Sequence, residues 1–368
     1  MKIGKVPENV LKRSVLRQIK TNREEIIRGA GVGEDCAIFS FSDKAPFMTC
    51  VQEAAVTTGA SVLREATAWK ADEGTTLENA VMSGRSGAFT TMAALLQRCA
   101  NNLAAGGARM RAVMITLLLP EETEEAGIKA LMREAADKCG ELKVSVGGGQ
   151  TRISSAVKAP LAVLTGYGSP FDKDWRAGKP APGQDIVISK WIGLEGTAVL
   201  ARRNREKLLA RYPAYFVEEA AGFDRWLSVI PEAATAIKSG VCAIHDASEG
   251  GIFGALWELA ERAGVGLTID LKKLPLRQET VEVCEYCNVN PYELLSGGCL
   301  VMTSGDGPSL AAALEAEGIP AVIAGKITDS RDRIILKEDE VRYMDRPKQD
   351  ELYRWLAEEE RSGNVPEA

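Results

Sequence analysis

The stretch His245-Asp-Ala-Ser-Glu-Gly-Gly-Ile-Phe-Gly-Ala-Leu-Trp-Glu-Leu-Ala-Glu261 holds most of what decides the fold. It begins at the polar end of a short apolar run, Cys242–His245, of strand length. Two glycines follow, and from Gly250 onward apolar residues recur at helical spacing. Strand, glycine turn and helix in direct succession make one step of an α/β layer. Gly250 and Gly251 let the backbone bend sharply and come close to a neighbour. The head of the helix presents unpaired N–H groups with positive potential. Asp246 and Glu249 flank the turn. Ser248 is placed to cap the helix, and Glu249 suits its first turn. His245 reads as a hydrogen-bonded residue at a strand end rather than as a catalytic base.

The same alternation extends on both sides. Strands are expected at Asp185–Ser189, Leu267–Asp270, Cys299–Thr303 and Ala321–Ile327. Helices are expected from Gly196, at Gly222–Ser239, near Glu279–Cys287 and at Ser309–Glu317. In the first half, residues 5–28 carry an amphipathic helical pattern, with Val6, Val10, Leu11, Val15, Ile19, Ile26 and Ile27 on one side. Strands follow after Gly29–Asp35, at Phe47–Val56, at Ala112–Leu119 and at Ala159–Gly168, with helices at Thr90–Ala105 and Glu121–Gly140. Val144–Thr151 reads as a strand ending in a glycine turn, and residues 61–88 as a long loop or loose helix. Pro, Gly and charge concentrate in SPFDKDWRAGKPAPG (169–183), which marks a domain boundary. The expected organisation is therefore an α/β (α+β) chain with domains at 1–170 and 171–345. A charged tail at 346–368 is expected to fray.

Three glycine turns carry candidate chemistry: Gly29–Asp35 with Gly31 and Gly33, Gly147–Thr151 with Gly148, Gly149, Gln150 and Thr151, and the Gly250–Gly251 turn. Each is either an ordinary turn or part of a main-chain cradle for phosphate. Asp35 is either a turn aspartate or a Mg²⁺ ligand beside such a cradle. Lys190, just after a strand, either reaches an anionic ligand or is solvated.

Composition sets limits. The chain has 368 residues, 45% of them apolar and 26% charged, which suits two globular cores. No stretch reaches the ~20 apolar residues of a membrane span, and the N-terminus lacks a signal peptide's apolar core, so a cytoplasmic location is expected. A net charge of −6 argues against a nucleic-acid partner. One histidine excludes multi-His metal sites within a chain. Of the eight cysteines, Cys284 and Cys287 form a CxxC without a second pair, which reads as a packed helical pair rather than a zinc site.

The ordered segments GxGEDCAI (31–38), CANNLAAGGA (99–108), VGGGQT (146–151), SKWIGLEGT (189–197), LSVIPEA (227–233), HDASEGGIFGALWELAE (245–261) and LLSGGCLVM (294–302) resemble the AIR-synthase superfamily, and most of all its HypE-like branch. That resemblance spans about residues 2–330. It implies a two-domain PurM/HypE-like fold whose N-terminal domain pairs its sheet across a homodimer. It further implies that ATP activates an oxygen or phosphate acceptor at the dimer cleft, a small-molecule phosphate ligand being held there. Asp35 matches the family's metal-binding acidic residue, and Glu53 is the nearest carboxylate to a second metal position. Asn101-Asn102 stands where the family usually has Asn-Asp, and Gln150 where it has an acid or histidine. Amides bind Mg²⁺ less well than carboxylates, so a depleted metal cluster is expected. The chain ends Asn364-Val-Pro-Glu-Ala368 and its last cysteine is Cys299, so the terminal cysteine that carries the carbamoyl group in HypE has no counterpart and HypE chemistry is not expected. Two readings remain: an ATP-dependent enzyme, and a nucleotide- or metabolite-binding dimer without turnover.

Overall fold

The computed structural model describes residues 8–18, 26–29, 31–39, 48–56 and 91–362. The expected loop at 61–88 lies outside them, as do parts of the expected first helix and the last six residues.

The first half is a six-stranded sheet in the order β1-β2-β3-β6-β4-β5. Its strands are β1 (Ile26–Arg28), β2 (Ala37–Phe39), β3 (Met48–Val56), β4 (Ala108–Leu119), β5 (Ser145–Ile153) and β6 (Leu161–Pro170). Burial alternates along β4 and β6, as one covered face requires. Val113, Ile115, Leu117, Leu119, Ala162 and Leu164 face two helices, α1 (Met92–Ala105) and α2 (Glu125–Leu142). Thr91 starts α1 by accepting a hydrogen bond from the Ala94 amide on its hydroxyl.

The second half is a seven-stranded sheet in the order β13-β12-β9-β11-β7-β10-β8. It comprises β7 (Asp185–Ser189), β8 (Ala243–Ala247), β9 (Gly266–Asp270), β10 (Cys299–Ser304), β11 (Ala321–Thr328), β12 (Arg333–Lys337) and β13 (Glu340–Tyr343). Both faces are covered, so its central strands are continuously apolar. Ile186 and Ile188 pack on the side of α7 (Gly251–Ala263), while Val187 packs on the side of α6 (Ile230–Lys238) and α9 (Gly307–Ala316). A further cluster joins α3 (Leu194–Arg203), α4 (Arg205–Leu209), α5 (Ala214–Ala221), α8 (Gln278–Cys287) and α10 (Glu351–Ser362). Cys284 and Cys287 are buried in it. Ala104 and Ala105 of α1 share a cluster with Ile244 and Leu300, so α1 is the seam between the halves.

Four expectations need correction. Residues 26–28 are not helical but pair with β2. The expected helix 222–239 is interrupted by a 3-10 turn, Phe223–Trp226, and α6 starts afresh with Pro231 in its first turn. The glycines at 147–149 do not end a strand. They lie inside β5, where the register against β4 shifts between Val113 and Met114 and Gly148 and Gly149 take φ of 151° and 147°. The charged tail does not fray over 351–362: Leu352, Trp355 and Leu356 of α10 are buried. Their spacing of three and four residues is the apolar stripe of a docked helix. No helix among the described residues is long and apolar enough to cross a membrane.

Candidate functional site

The seam is built around the first and third glycine turns. Gly33 has φ +72°, and a Cβ there would lie 2.6 Å from the Glu258 carbonyl oxygen on α7. This glycine therefore permits close docking of the two halves. Glu34 pairs with Arg262 at 3.0 Å and with Arg28 at 3.5 Å. Asp35 Oδ2 lies 2.8 Å from Nδ1 of His245 at the middle of β8, and His245 Nε2 lies 3.1 Å from Glu258 Oε2. Burial alone would disfavour the imidazolium, but the two carboxylates outweigh it and raise the pKa to about 10. His245 is thus a buried cation that donates to both halves of the molecule.

Asp246 follows and is 3% exposed. Its Oδ1 has no hydrogen-bond partner. Burial, then the charge of Asp35, and with them Glu195 and Glu53, push its carboxyl well above the usual range, against the pull of His245. Three carboxylates thus act on Asp246. Glu53 of β3 accepts a hydrogen bond from Asn102. Glu195 of α3 accepts from Arg98 Nε at 3.0 Å and Nη2 at 2.7 Å. Arg98 and Asn102 are one turn apart on α1 and share a face. Asn101 points elsewhere: it donates to the Leu227 carbonyl and accepts from the Val229 amide, tying α1 to the loop before α6.

In the third turn Gly250 (φ +84°) precedes α7, and a Cβ on Gly251 would lie 2.5 Å from the Tyr292 carbonyl. The side chain of Ser248 does not cap the helix; its carbonyl accepts from the Gly251 and Ser296 amides instead. Glu249 accepts from the Tyr353 hydroxyl at 2.7 Å, and the Gly250 amide donates to Asp350 Oδ2 at 2.7 Å.

Of the residues singled out in the sequence, Gly33, Asp35, Glu53, Asn102 and Asp246 meet at the seam, Gly31 lies beside Glu34, and Glu249, Gly250 and Gly251 pack against Tyr353, Asp350 and Tyr292 within the second half. Gly148, Gly149, Gln150 and Thr151 lie on β5, all exposed along the edge of the first sheet. Lys190 is turned inward rather than solvated. It is buried at φ +52°, and its ammonium contacts the Trp226 and Ser228 carbonyls at 2.7 and 2.6 Å and Glu232 at 2.5 Å. Arg98, Glu195, Glu258, Asp350 and Tyr353 were not singled out. Arg98 alone carried a signal, four residues before Asn102 on a clear helix.

The donor chemistry around Asp246, with its orphaned buried oxygen, is that of a hard cation. The arrangement is not. Among the described residues no three His, Cys, Asp or Glu side chains are grouped to hold a metal ion. Asp35 is engaged by His245, and Glu53 by Asn102. Internal charge compensation comes from His245 and Arg98.

Two α/β halves that close on a carboxylate-rich seam headed by a glycine turn define a two-domain protein with its polar centre between the domains. The chain belongs to the AIR synthase related family: residues 33–169 match that family's N-terminal domain and residues 181–337 its C-terminal domain. Among curated relatives it is 29% identical to carbamoyl dehydratase HypE of Rhodobacter capsulatus over 233 residues, 61% of this chain and 66% of that protein. The match therefore spans just under two thirds of that relative. Among solved structures, the HypE-HypF complex aligns with a TM-score of 0.66 at 18% identity, covering 92% of this chain and 99% of that one. Hydrogenase maturation protein HypE in complex with ATP aligns with a TM-score of 0.62 at 14% identity, covering 94% and 96%. These structures share the fold.

Proposed function

We propose that this chain binds ATP at the seam between its halves and uses it to activate a small acceptor, working as a cytoplasmic homodimer. One observation carries the reading. Asp246 is buried with an oxygen unpartnered, amid the charges of Asp35, Glu195 and Glu53, at the entry to the Gly250–Gly251 turn. A fold gains nothing from such a cluster, whereas a buried, unpartnered carboxylate oxygen gathered among like charges is the mark of a ligand site. Arg98 and the amides at the head of α7 would receive phosphate oxygens, and Asp246 would face the acceptor. Catalysis would rest on positioning and charge neutralisation. The ATP complex of the HypE relative supports the nucleotide part of this reading. The exposed apolar side chains Met114, Val146 and Ile153 on the first sheet support pairing with a second copy.

A second reading, a nucleotide-binding dimer without turnover, is favoured by the engagement of Asp35 and Glu53 within the protein. Thermal shift with ATP, with and without Mg²⁺, together with phosphate release, separates the two. A metal-dependent shift accompanied by phosphate release is expected of the enzyme. A shift indifferent to Mg²⁺ without release marks the binding dimer, and no shift under either condition refutes both.

A further inference from the structure

Residues 338–362 lie beyond the match to the family's C-terminal domain, which ends at residue 337, yet they close on the Gly250 turn. Asp350, immediately before α10, is 4% exposed. Its Oδ2 accepts from the Gly250 amide at 2.7 Å, and its Oδ1 accepts from the Leu352 amide at 2.9 Å and the Leu295 amide at 3.3 Å. Gly250 heads α7, so its amide belongs to the positive end of a 13-residue helix. A carboxylate from the chain's own C-terminal segment thus occupies two main-chain donors outside that segment, the Gly250 and Leu295 amides, while the Leu352 amide belongs to the first turn of α10 itself. Tyr353, three residues on, donates to Glu249 on the same turn. α10 is also held by Leu352, Trp355 and Leu356, which are buried in the cluster it shares with α3, α4, α5 and α8, by Glu351, which accepts from the Asn290 amide at 2.8 Å, and by Arg354, which donates to the Asn288 carbonyl at 2.6 Å.

We propose that α10 is a strap that keeps the Asp350 carboxylate seated on the Gly250 amide before α7 and the neighbouring Leu295 amide, and that a phosphate-bearing ligand must displace it to bind there. The phosphate part rests on the function proposed above. Burial pushes the Asp350 carboxyl up to about 7 although three amides donate to it, with Glu249 adding to the rise. The seated anion is therefore held at a cost, as a releasable occupant should be.

Hydrogen–deuterium exchange of the full chain with ATP, and separately with inorganic triphosphate, tests the strap. On saturation, residues 351–362 should exchange about tenfold faster while the head of α7 slows. Asp350→Asn should bind both probes about tenfold more tightly than the natural chain, because the ligand no longer competes with an internal anion. Tyr353→Phe loses only the bond to Glu249 and should bind about two- to fivefold more tightly. Binding with α10 undisturbed, or equal affinities in all three chains, overturns the strap and leaves the nucleotide site standing. Failure of every chain to bind either probe overturns both.

Discussion

Replacing His245 with glutamine keeps bulk and hydrogen-bonding capacity between Asp35 and Glu258 but removes the proton. In the folded chain the imidazole titrates at about 10, against about 6.5 when unfolded. The folded state holds this proton more tightly, so the stabilisation is complete below the unfolded value and is lost as pH rises through the folded one. At 1.36 kcal/mol per unit the whole interval amounts to roughly 5 kcal/mol, of which about 4 kcal/mol is present at pH 7. That agrees with the roughly 3–5 kcal/mol lost when a buried ion pair loses one partner. Urea unfolding followed by tryptophan fluorescence, run on both chains from pH 6 to pH 10, measures it. The natural chain should lose stability steeply across that range, while His245→Gln starts about 4 kcal/mol lower and stays flat, the curves converging at high pH. Parallel curves, or a difference within about 1 kcal/mol at pH 7, would refute the reasoning that His245 is a cation joining the halves.

Gly33→Ala forces a methyl to 2.6 Å from the Glu258 carbonyl at a positive φ; a loss of about 2–4 kcal/mol by urea unfolding is expected. Thr91→Ala leaves the Ala94 amide without its acceptor and should cost about 1 kcal/mol by the same assay. Asp350 shifts in the same direction as His245, over a lower pH range. Its carboxyl is raised to about 7, so the stability tied to its proton is present at acid pH and declines as pH rises through 7. Asp350→Asn should therefore match or exceed the natural chain above pH 7, by up to about 4 kcal/mol, and lose that advantage near pH 4. A calorimetric pH series checks the crossover.

The layers were legible because their signals are local. Thr91, the apolar period of α1 and the closing Gly106-Gly107 specify a helix without outside help. So do the burial-ready runs of β4, β7 and β10. Glycine was ambiguous for a physical reason: it relieves strain in a docking turn at Gly33, a helix head at Gly250 and a bulged strand at Gly148. Only the partner strand or helix tells which. Asp35 and His245 were each noticed, yet 210 positions separate them, and no spacing rule announces such a pair. Lys190 looked available because a lysine after a strand is normally solvated. Its actual partners, the Trp226 and Ser228 carbonyls, are set by a loop whose path is tertiary. The C-terminal segment was misread because charge dominates its composition, although Leu352, Trp355 and Leu356 already had the spacing of a docked helix.

A crystal structure of the chain with a non-hydrolysable ATP analogue tests the central claim most directly. The account predicts phosphate density between Arg98 on α1 and the Gly250 amide, with Asp350 withdrawn from that amide. Density bound elsewhere, with Asp350 still seated and the Asp35–His245 seam untouched, would contradict it.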